Sequence, residues 1–284
     1  MKKTILSLSV LLAAAALAYP QNVVFKLNGG FSWLNGSDLN AGLAGETEAV
    51  KAAAQTAAGG FEALNNGLGG QLEIITMINA GLGVGLVGGY YRVSRVSQIS
   101  SHGLAGDGTP YDATAGYNTR VSILPFGINV HYMVPLGARV TLDAYAGPVF
   151  SIVQFNAANP STTTIAHVNQ LITFTASRTA LGGQVGFGLA YRLLPGLSLI
   201  ADGFYRIQKV GNLQGNWAQS GSSDAGDLAG SSSTYYLWTY QNSGIQRIGF
   251  FDSNGPSGAA VTGARKAEIN LSGLALAAGI RFSF

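Results

Sequence analysis

Large apolar residues alternate with small or polar residues along most of this chain. The clearest example is the stretch 124–134, where the even positions are apolar and the odd positions are mostly small or polar. Side chains of a β-strand point alternately to opposite faces of the sheet, so this stretch would have one apolar face and one mixed face. The pattern therefore predicts an all-β fold with two chemically different faces.

The same alternation predicts eight strands, near residues 22–33, 68–79, 81–96, 118–134, 139–155, 168–192, 197–210 and 266–284. Three connections are tight turns, at 79–81, 135–137 and 194–196. The other four are long and rich in Gly, Ser, Asn and Thr, at 34–67, 97–117, 156–167 and 211–265. Short and long connections alternate, so in an antiparallel sheet all the long ones lie at the same end.

Two of the long connections carry signs of internal structure. The alanine-rich segment 46–55, within 41–60, predicts one short helix. The segment 211–265 is too long for a structureless loop, and its stretches 234–240 and 245–251 predict a hairpin. Each arm is shorter than the roughly 9–11 residues that span a membrane, which favours a projecting hairpin over two further spanning strands, although ten strands remain the alternative. The hairpin is rich in aromatic residues that would anchor it in lipid or contact a ligand: Tyr235, Tyr236, Trp238, Tyr240, Phe250 and Phe251.

Composition favours a chain embedded in lipid. Only 10% of the residues are charged, against about 25% in ordinary soluble proteins, and the mean hydropathy is +0.26. No long uncharged apolar helix occurs after residue 18, so the apolar residues are distributed over alternating strands, as in a closed membrane barrel. Cysteine is absent, which excludes disulfides, thiolate catalysis and cysteine metal sites.

The first residues predict a secretory signal peptide. Lys2 and Lys3 precede an apolar run over 5–17, and a small-residue site places cleavage between Ala18 and Tyr19. The expected domains are therefore a signal peptide, 1–18, and a barrel, 19–284. Without Lys2 and Lys3 the basic count falls from 16 to 14 against 13 acids, and this near-neutral balance argues against a nucleic-acid partner.

The last residues alternate in the same way and end on Ile280, Phe282 and Phe284. This stretch resembles the assembly signal of bacterial outer-membrane β-barrels, which the barrel-assembly machinery reads. With the signal peptide and the turn pattern, the whole mature chain resembles the small outer-membrane barrel superfamily that includes the membrane domains of OmpA-like proteins and the OmpX and OmpW types.

The resemblance implies a closed antiparallel barrel in the outer membrane of a Gram-negative-type, diderm bacterium. Short turns would face the periplasm and long loops the outside. The implied partners are outer-membrane lipids, with the secretion translocon and the barrel-assembly machinery during biogenesis. No periplasmic domain follows the barrel, so the resemblance does not imply tethering to the cell wall.

Strand parity assigns seven charged residues to the barrel interior: Lys26, Glu73, Asp143, Arg178, Asp202, Arg206 and Arg281. An eight-stranded barrel is just wide enough for its own side chains, and unpaired charges there are costly. A mutually paired network that plugs the interior is therefore expected. Arg206 is expected to pair with Asp143 or Glu73, and Asp202 with Lys26 or Arg281.

The candidate chemistry of the chain is sparse. Its three histidines, His102, His131 and His167, share no metal-ligand spacing, and no cofactor, metal or catalytic residue is predicted. The leading hypothesis is a non-enzymatic barrel with a structural or surface-interaction role, whose long loops contact an unidentified external ligand. The alternative is porin-like transport of small or hydrophobic solutes. A third hypothesis is a lipid-modifying enzyme, because His102 and His167 lie in or beside serine-bearing loops.

Overall fold

The computed structural model describes residues 23–284, which fold into fourteen antiparallel strands, one α-helix and one 3-10 turn at Ile165–His167. The cleavage site at Ala18 and Tyr19 lies outside the described residues. The all-β, antiparallel prediction is confirmed. The elements are β1 (Val23–Trp33), α1 (Ser37–Ala53), β2 (Thr56–Gly60), β3 (Asn66–Met77), β4 (Leu82–Leu104), β5 (Pro110–Pro135), β6 (Val140–Thr163), β7 (Val168–Leu194), β8 (Leu197–Gly211), β9 (Gln214–Ser223), β10 (Gly226–Asn242), β11 (Ile245–Phe251), β12 (Val261–Lys266), β13 (Glu268–Asn270) and β14 (Gly273–Ser283).

Eight of these strands close a ring of hydrogen bonds. The ring runs β1, β3, β4, β5, β6, β7, β8 and β14, and β14 pairs back onto β1 from Val24 opposite Ser283 to Ser32 opposite Ala275. A closed ring leaves no strand edge with unpaired backbone groups, the condition for a sheet inside lipid. The short turns after β3, β5 and β7 lie at one end of the ring, called the turn end here, and the opposite end is called the loop end.

Strands β4, β5 and β6 extend eight residues beyond their predicted boundaries at the loop end, whereas β7 begins at the predicted residue 168. They are 23 to 27 residues long, although about 9–11 residues cross a membrane, so more than half of each strand projects at the loop end. The predicted loops 97–117 and 156–167 therefore consist mostly of paired strand, and the prediction is wrong there. The inner face of these segments is still buried, for example at Ile99 and Tyr117, but the outer face meets water instead of lipid. The outward apolar residues that mark the ring are therefore not required there.

The segment 211–265 forms an additional sheet at the loop end. Strands β10 and β11 form the predicted hairpin, from Tyr236 opposite Phe251 to Asn242 opposite Ile245, with Ser243 and Gly244 at positive φ in the turn. Neither arm enters the ring. Instead β10 pairs with β9, and β9 pairs with the first part of β7, so the hairpin projects. The predicted single strand 266–284 divides into β13 and β14, with β13 pairing to the end of β8.

The helix α1 begins nine residues before the predicted 46–55 segment and ends at Ala53. Gly42 and Gly45 weaken its intrinsic propensity, which explains why the sequence pattern missed the first half. Both glycines are needed for close packing, because a Cβ at Gly45 would overlap the carbonyl oxygen of Gln246, and one at Gly42 would lie 2.5 Å from Cβ of Ile248. Tertiary contact with β11 therefore determines the extent of this helix.

A continuous apolar belt surrounds the ring. Each of the eight strands exposes at least one large apolar side chain outward, such as Leu27, Ile128, Phe187 and Leu276, which are 49–62% exposed. On β5 the belt extends from Leu124 to Val134, about the length that crosses a membrane. No helix in residues 23–284 is both long and apolar enough to span a membrane.

Candidate functional site: the filled barrel interior

The half of the barrel nearer the turn end contains a polar cluster, called the charged layer here. Its members project inward from β1, β3, β5, β6, β7 and β8, and all are at most 6% exposed. They are Lys26, Asn28, Glu73, Asn129, His131, Asp143, Gln184 and Asp202.

Lys26 is the cationic centre of this layer. Its Nζ lies 2.8 Å from Oδ1 of Asp202 and 3.4 Å from Oδ2 of Asp143. The same Nζ stands 4.5 Å from the ring centroid of Tyr145, a cation–π distance. Asn28 donates a 2.9 Å hydrogen bond to Oδ2 of Asp202, so the second carboxylate oxygen also has a partner.

His131 joins two carboxylates. Its Nε2 lies 2.9 Å from Oε1 of Glu73, and its Nδ1 lies 2.9 Å from Oδ1 of Asp143. Since an ionised carboxylate only accepts hydrogen bonds, this geometry suits an imidazolium that donates from both nitrogens. The ring stacks on Tyr145 at 5.2 Å between centroids, and Asn129 donates to Glu73 at 2.6 Å. His131 is an odd position of the alternating stretch 124–134 and so belongs to its mixed face, but only the tertiary structure reveals it as a link in the network.

Three of the predicted interior charges lie outside this paired cluster. Arg281 points inward beside Lys26, Asp143 and Asp202, yet it makes no ion pair within 4 Å in the described chain. Arg206 is buried nearer the loop end and also lacks a carboxylate partner in residues 23–284; its guanidinium instead stacks 4.6 Å from the ring of Tyr91 and 5.8 Å from that of Phe204. The expected pairing of Arg206 with Asp143 or Glu73 is therefore wrong.

Arg178 is exposed and not part of the interior network. It lies where β7 changes partner, because the β9 pairing stops at Ala176 and the β8 pairing begins at Gly182. A cavity of about 510 Å³ opens in the wall beside this interruption. Its lining is polar and includes Gln154, Asn156, Arg178, Gln214, Asn216 and Ser233. Parity alone cannot reveal such an interruption in strand pairing.

The half of the barrel nearer the loop end, and the space above it, are filled by an apolar cluster, called the apolar layer here. It is built from inward residues of the ring, from α1 and from the additional sheet, and each side chain named here is at most 5% exposed. Its members include Leu39, Leu43, Leu64, Tyr91, Ile123, Phe155, Phe174, Phe204, Leu237, Ile248 and Leu271, several of which lie on elements assigned to loops by the sequence pattern.

Two bidentate ion pairs hold α1 in this layer. Glu46 accepts hydrogen bonds of 2.7 and 2.6 Å from Nε and Nη2 of Arg247, and Asp38 accepts two of 2.6 Å from Arg265. The hydrogen bonds from Arg247 to Glu46 hold the pKa of that arginine above its ordinary value, and those from Arg265 to Asp38 do the same for Arg265. Both arginines therefore stay charged, and the helix remains tied to β11–β13, throughout the physiological pH range.

The aromatic residues of the hairpin mostly pack into the protein. Phe250 stacks on Phe174 of the apolar layer at 4.5 Å between centroids, and Trp238 donates a 3.1 Å hydrogen bond to the carbonyl of Asp252. Tyr240 meets Phe251 edge to face at 5.6 Å. The hairpin is thus held to the barrel by its aromatic side chains, and the tips of β9 and β10 carry Ser, Gly, Asp and Gln.

The other two histidines form exposed pairs with carboxylates. Nδ1 of His102 lies 3.0 Å from Oδ1 of Asp112, and Nδ1 of His167 lies 3.0 Å from Oδ2 of Asp224. The four side chains are 49–79% exposed, so neither pair lies in a water-excluding cleft. Within the described part of the chain, no group of three or more His, Cys, Asp and Glu side chains could hold a metal ion.

No family model matches the sequence, and no curated protein matches it. Solved structures with a similar arrangement include a major outer membrane protein from Thermus thermophilus, which is 18% identical, with 92% of this chain and 99% of that chain covered and a TM-score of 0.38. The outer membrane protein OprG from Pseudomonas aeruginosa is 9% identical. The match covers 93% of this chain and 97% of OprG, with a TM-score of 0.40. The outer membrane protease OmpT from Escherichia coli is 10% identical. The match covers 94% of this chain and 98% of OmpT, with a TM-score of 0.40.

The architecture itself defines the class of protein. A closed antiparallel ring, an apolar outer belt and a polar interior layer are together the arrangement of transmembrane β-barrels of the outer-membrane type. In such barrels short turns face the periplasm and long loops the outside.

Proposed function

We propose that this protein is a closed outer-membrane barrel that presents an extracellular β-sheet as a contact surface, without enzymatic activity. The observation that carries the proposal is the filling of the interior at two levels, by the charged layer and by the apolar layer. Between Lys26, Asp143, Asp202 and Arg281 the remaining cavity is about 10 Å³, room for roughly one water molecule. Such an interior is suited to stability, not to passage of solutes.

The extracellular part is large and well ordered by pairing. Residues 110–122 of β5 alone extend on the order of 40 Å along the strand beyond the apolar belt. Strands β9 and β10 continue this wall, and their tips expose Ser220, Ser222, Asp224 and Asp227. A surface of this composition favours hydrogen bonding with a polar partner over burial in lipid.

Conductance in planar lipid bilayers tests the closed interior. The full-length barrel is expected to give no stable single-channel current, whereas a large, ion-selective conductance would refute the proposal. Binding to polar surfaces by cells that display the protein tests the contact role. A variant in which residues 219–228 are replaced by a two-residue turn should fold and insert normally but lose this binding; unchanged binding would contradict the role of β9 and β10.

A specific observation supports a second candidate function, the transport of an amphipathic solute across the barrel wall. The 510 Å³ cavity beside the interrupted pairing at residues 177–181 contains Arg178, a cation that would attract an acidic head group. In vesicles, Arg178→Ala would then slow the uptake of a fluorescent fatty acid, while Lys51→Ala at an exposed position of α1 would not. Equal uptake by the wild type and by vesicles without protein would exclude this function.

A further inference from the structure

The periplasmic mouth of the barrel contains three arginines at one level. On neighbouring strands Arg281 lies opposite Ser198, and Ser198 lies opposite Arg192, so the two arginines flank one serine. Strands are about 4.8 Å apart, which places the two Cα atoms roughly 10 Å from each other. The backbone N–H of Arg192 donates a 2.7 Å hydrogen bond to the carbonyl of Arg139, which brings the third arginine to the same rim.

These arginines line two neighbouring cavities. One of about 290 Å³ is bordered by Arg139, Arg192 and Arg281 together with hydroxyl donors at Thr141, Ser198 and Ser283. A neighbouring cavity of about 510 Å³ shares Arg192 and Arg281 and adds apolar wall from Val24, Met77 and Met133. Volumes near 300 Å³ and above are those of small-molecule sites, and the combination of guanidinium and hydroxyl groups is suited to an anion.

The charges around the mouth are not balanced within the described chain. Five arginine and lysine side chains face the interior or its periplasmic rim, namely Lys26, Arg139, Arg192, Arg206 and Arg281. Against them stand three side-chain carboxylates, of Glu73, Asp143 and Asp202, and the terminal carboxylate of Phe284, a residue that lines both cavities. Those three carboxylates are already engaged by Lys26, His131, Asn28 and Asn129. Arg139, Arg192 and Arg281 make no ion pair within 4 Å in residues 23–284, and Nε and Nη1 of Arg281 are buried without a hydrogen-bond partner there.

We propose that the periplasmic mouth is a binding site for a phosphate group, held between Arg192 and Arg281 with Arg139 at the rim. Guanidinium groups bind phosphate oxygens through paired, charge-assisted hydrogen bonds, and two of them on either side of a serine hydroxyl surround one such group. The phosphate belongs either to a free anion or to the head group of an anionic phospholipid in the periplasmic leaflet. The apolar wall of the second cavity is placed to contact acyl carbons in the latter case.

Thermal unfolding of the refolded full-length barrel in a maltoside detergent, which contains no phosphate, tests this site. Inorganic phosphate at constant ionic strength should raise the unfolding temperature of the wild type more than chloride does. Arg192→Gln and Arg281→Gln should each weaken the apparent affinity for phosphate about tenfold. Arg120→Gln, an exposed arginine on the outer face far from the mouth, is the matched control and should respond like the wild type.

A second arm separates the two sources of the phosphate. The barrel in the same maltoside receives either phosphatidylglycerol or diacylglycerol, which has the acyl chains but no phosphate, and unfolding is compared for the same variants. Stabilisation by phosphatidylglycerol but not by inorganic phosphate would assign the site to a lipid head group, and stabilisation by both would assign it to the phosphate group itself. The proposal would be overturned if neither phosphate nor phosphatidylglycerol raised the unfolding temperature. It would also be overturned if Arg192→Gln and Arg120→Gln reduced that rise equally. Because Arg192 is exposed, its variant provides the test even if Arg281→Gln does not fold.

Discussion

The charged layer and the apolar layer close the same barrel by different physical means. In the charged layer, Lys26 and His131 bridge three carboxylates at 2.8–3.4 Å, and each member depends on its partners. In the apolar layer, α1 and the additional sheet insert side chains such as Leu43 and Phe250 against the ring. The first is built only from ring strands, whereas the second needs elements that lie outside the membrane.

This difference has consequences for how each layer responds to mutation. When one charge of an ion-pair network in a low-dielectric interior is removed, the free energy of unfolding falls strongly, since the partner remains buried and uncompensated. When a side chain of an apolar cluster is truncated, the free energy of unfolding falls in proportion to the atoms removed and the cavity left behind. The half at the turn end should therefore be the more sensitive to a single polar substitution, and the half at the loop end the more tolerant.

The largest effect is expected for Lys26→Met. This change leaves Asp202 without its cation and Asp143 with His131 alone, and it should lower the free energy of unfolding by about 3–5 kcal/mol. The measurement is urea unfolding of the refolded barrel in lipid vesicles, followed by tryptophan fluorescence. Lys209→Met is the matched control, because Lys209 pairs with Glu268 on the surface and should contribute at most about 1 kcal/mol. An equal decrease in the free energy of unfolding in the two variants would contradict the role of the charged layer.

Leu43→Ala tests the apolar layer. Leu43 is 1% exposed on the inner face of α1, and its truncation should lower the free energy of unfolding by about 2–4 kcal/mol. Because the helix lies outside the membrane, hydrogen exchange should rise in α1 and β11 while the ring strands stay protected. Val50→Ala, a partly exposed position on the same helix, should have little effect. If exchange rose in the ring as strongly as in α1, the two layers would not be separable.

Gly85→Ala tests how tightly the charged layer is packed. A Cβ at Gly85 would lie 2.8 Å from Oε1 of Glu73 and 2.9 Å from Nε2 of His131, so it would push apart the hydrogen-bonded pair. The expected cost is about 1–3 kcal/mol, less than removal of Lys26, because the side chains can shift. The comparison is Gly137→Ala in the turn after β5, where a Cβ would meet nothing within 4 Å. Urea unfolding of both variants measures the difference.

The sequence pattern predicted the ring because lipid and the crowded interior impose opposite demands on alternate residues. Where the outer face meets water, as at 97–104 and 110–117, its apolar residues are no longer required, although Ile99 and Tyr117 are still buried on the inner face. The pattern therefore predicts loops where the structure has paired strands. Parity also assigned Lys26, Glu73, Asp143 and Asp202 to the interior, but it carries no information about depth.

For that reason the ionic partners could not be predicted reliably. Arg206 lies nearer the loop end than the acids and stacks on Tyr91 instead of pairing with them. The exposed position of Arg178 depends on a change of strand partner within β7, and no local pattern marks such a change. The role of α1 as a plug depends on two glycines that argue against a helix when read alone.

The smallest expected effect concerns the ion pairs that hold α1. Arg265→Gln removes a bidentate contact with Asp38, but the arginine side chain is 57% exposed, so solvent screening should limit the cost to about 1 kcal/mol or less. At 1 M salt the Debye length falls to about 3 Å, and the remaining difference from the wild type should vanish. The cost of Lys26→Met should persist at the same salt concentration, because its partners are 0–6% exposed and bulk ions do not reach them. The free energy of urea unfolding at low and high salt, measured for both variants, would distinguish screened from buried electrostatics. If high salt rescued Lys26→Met as completely as Arg265→Gln, the interior would be accessible to water and ions, and the closed-barrel interpretation would fail.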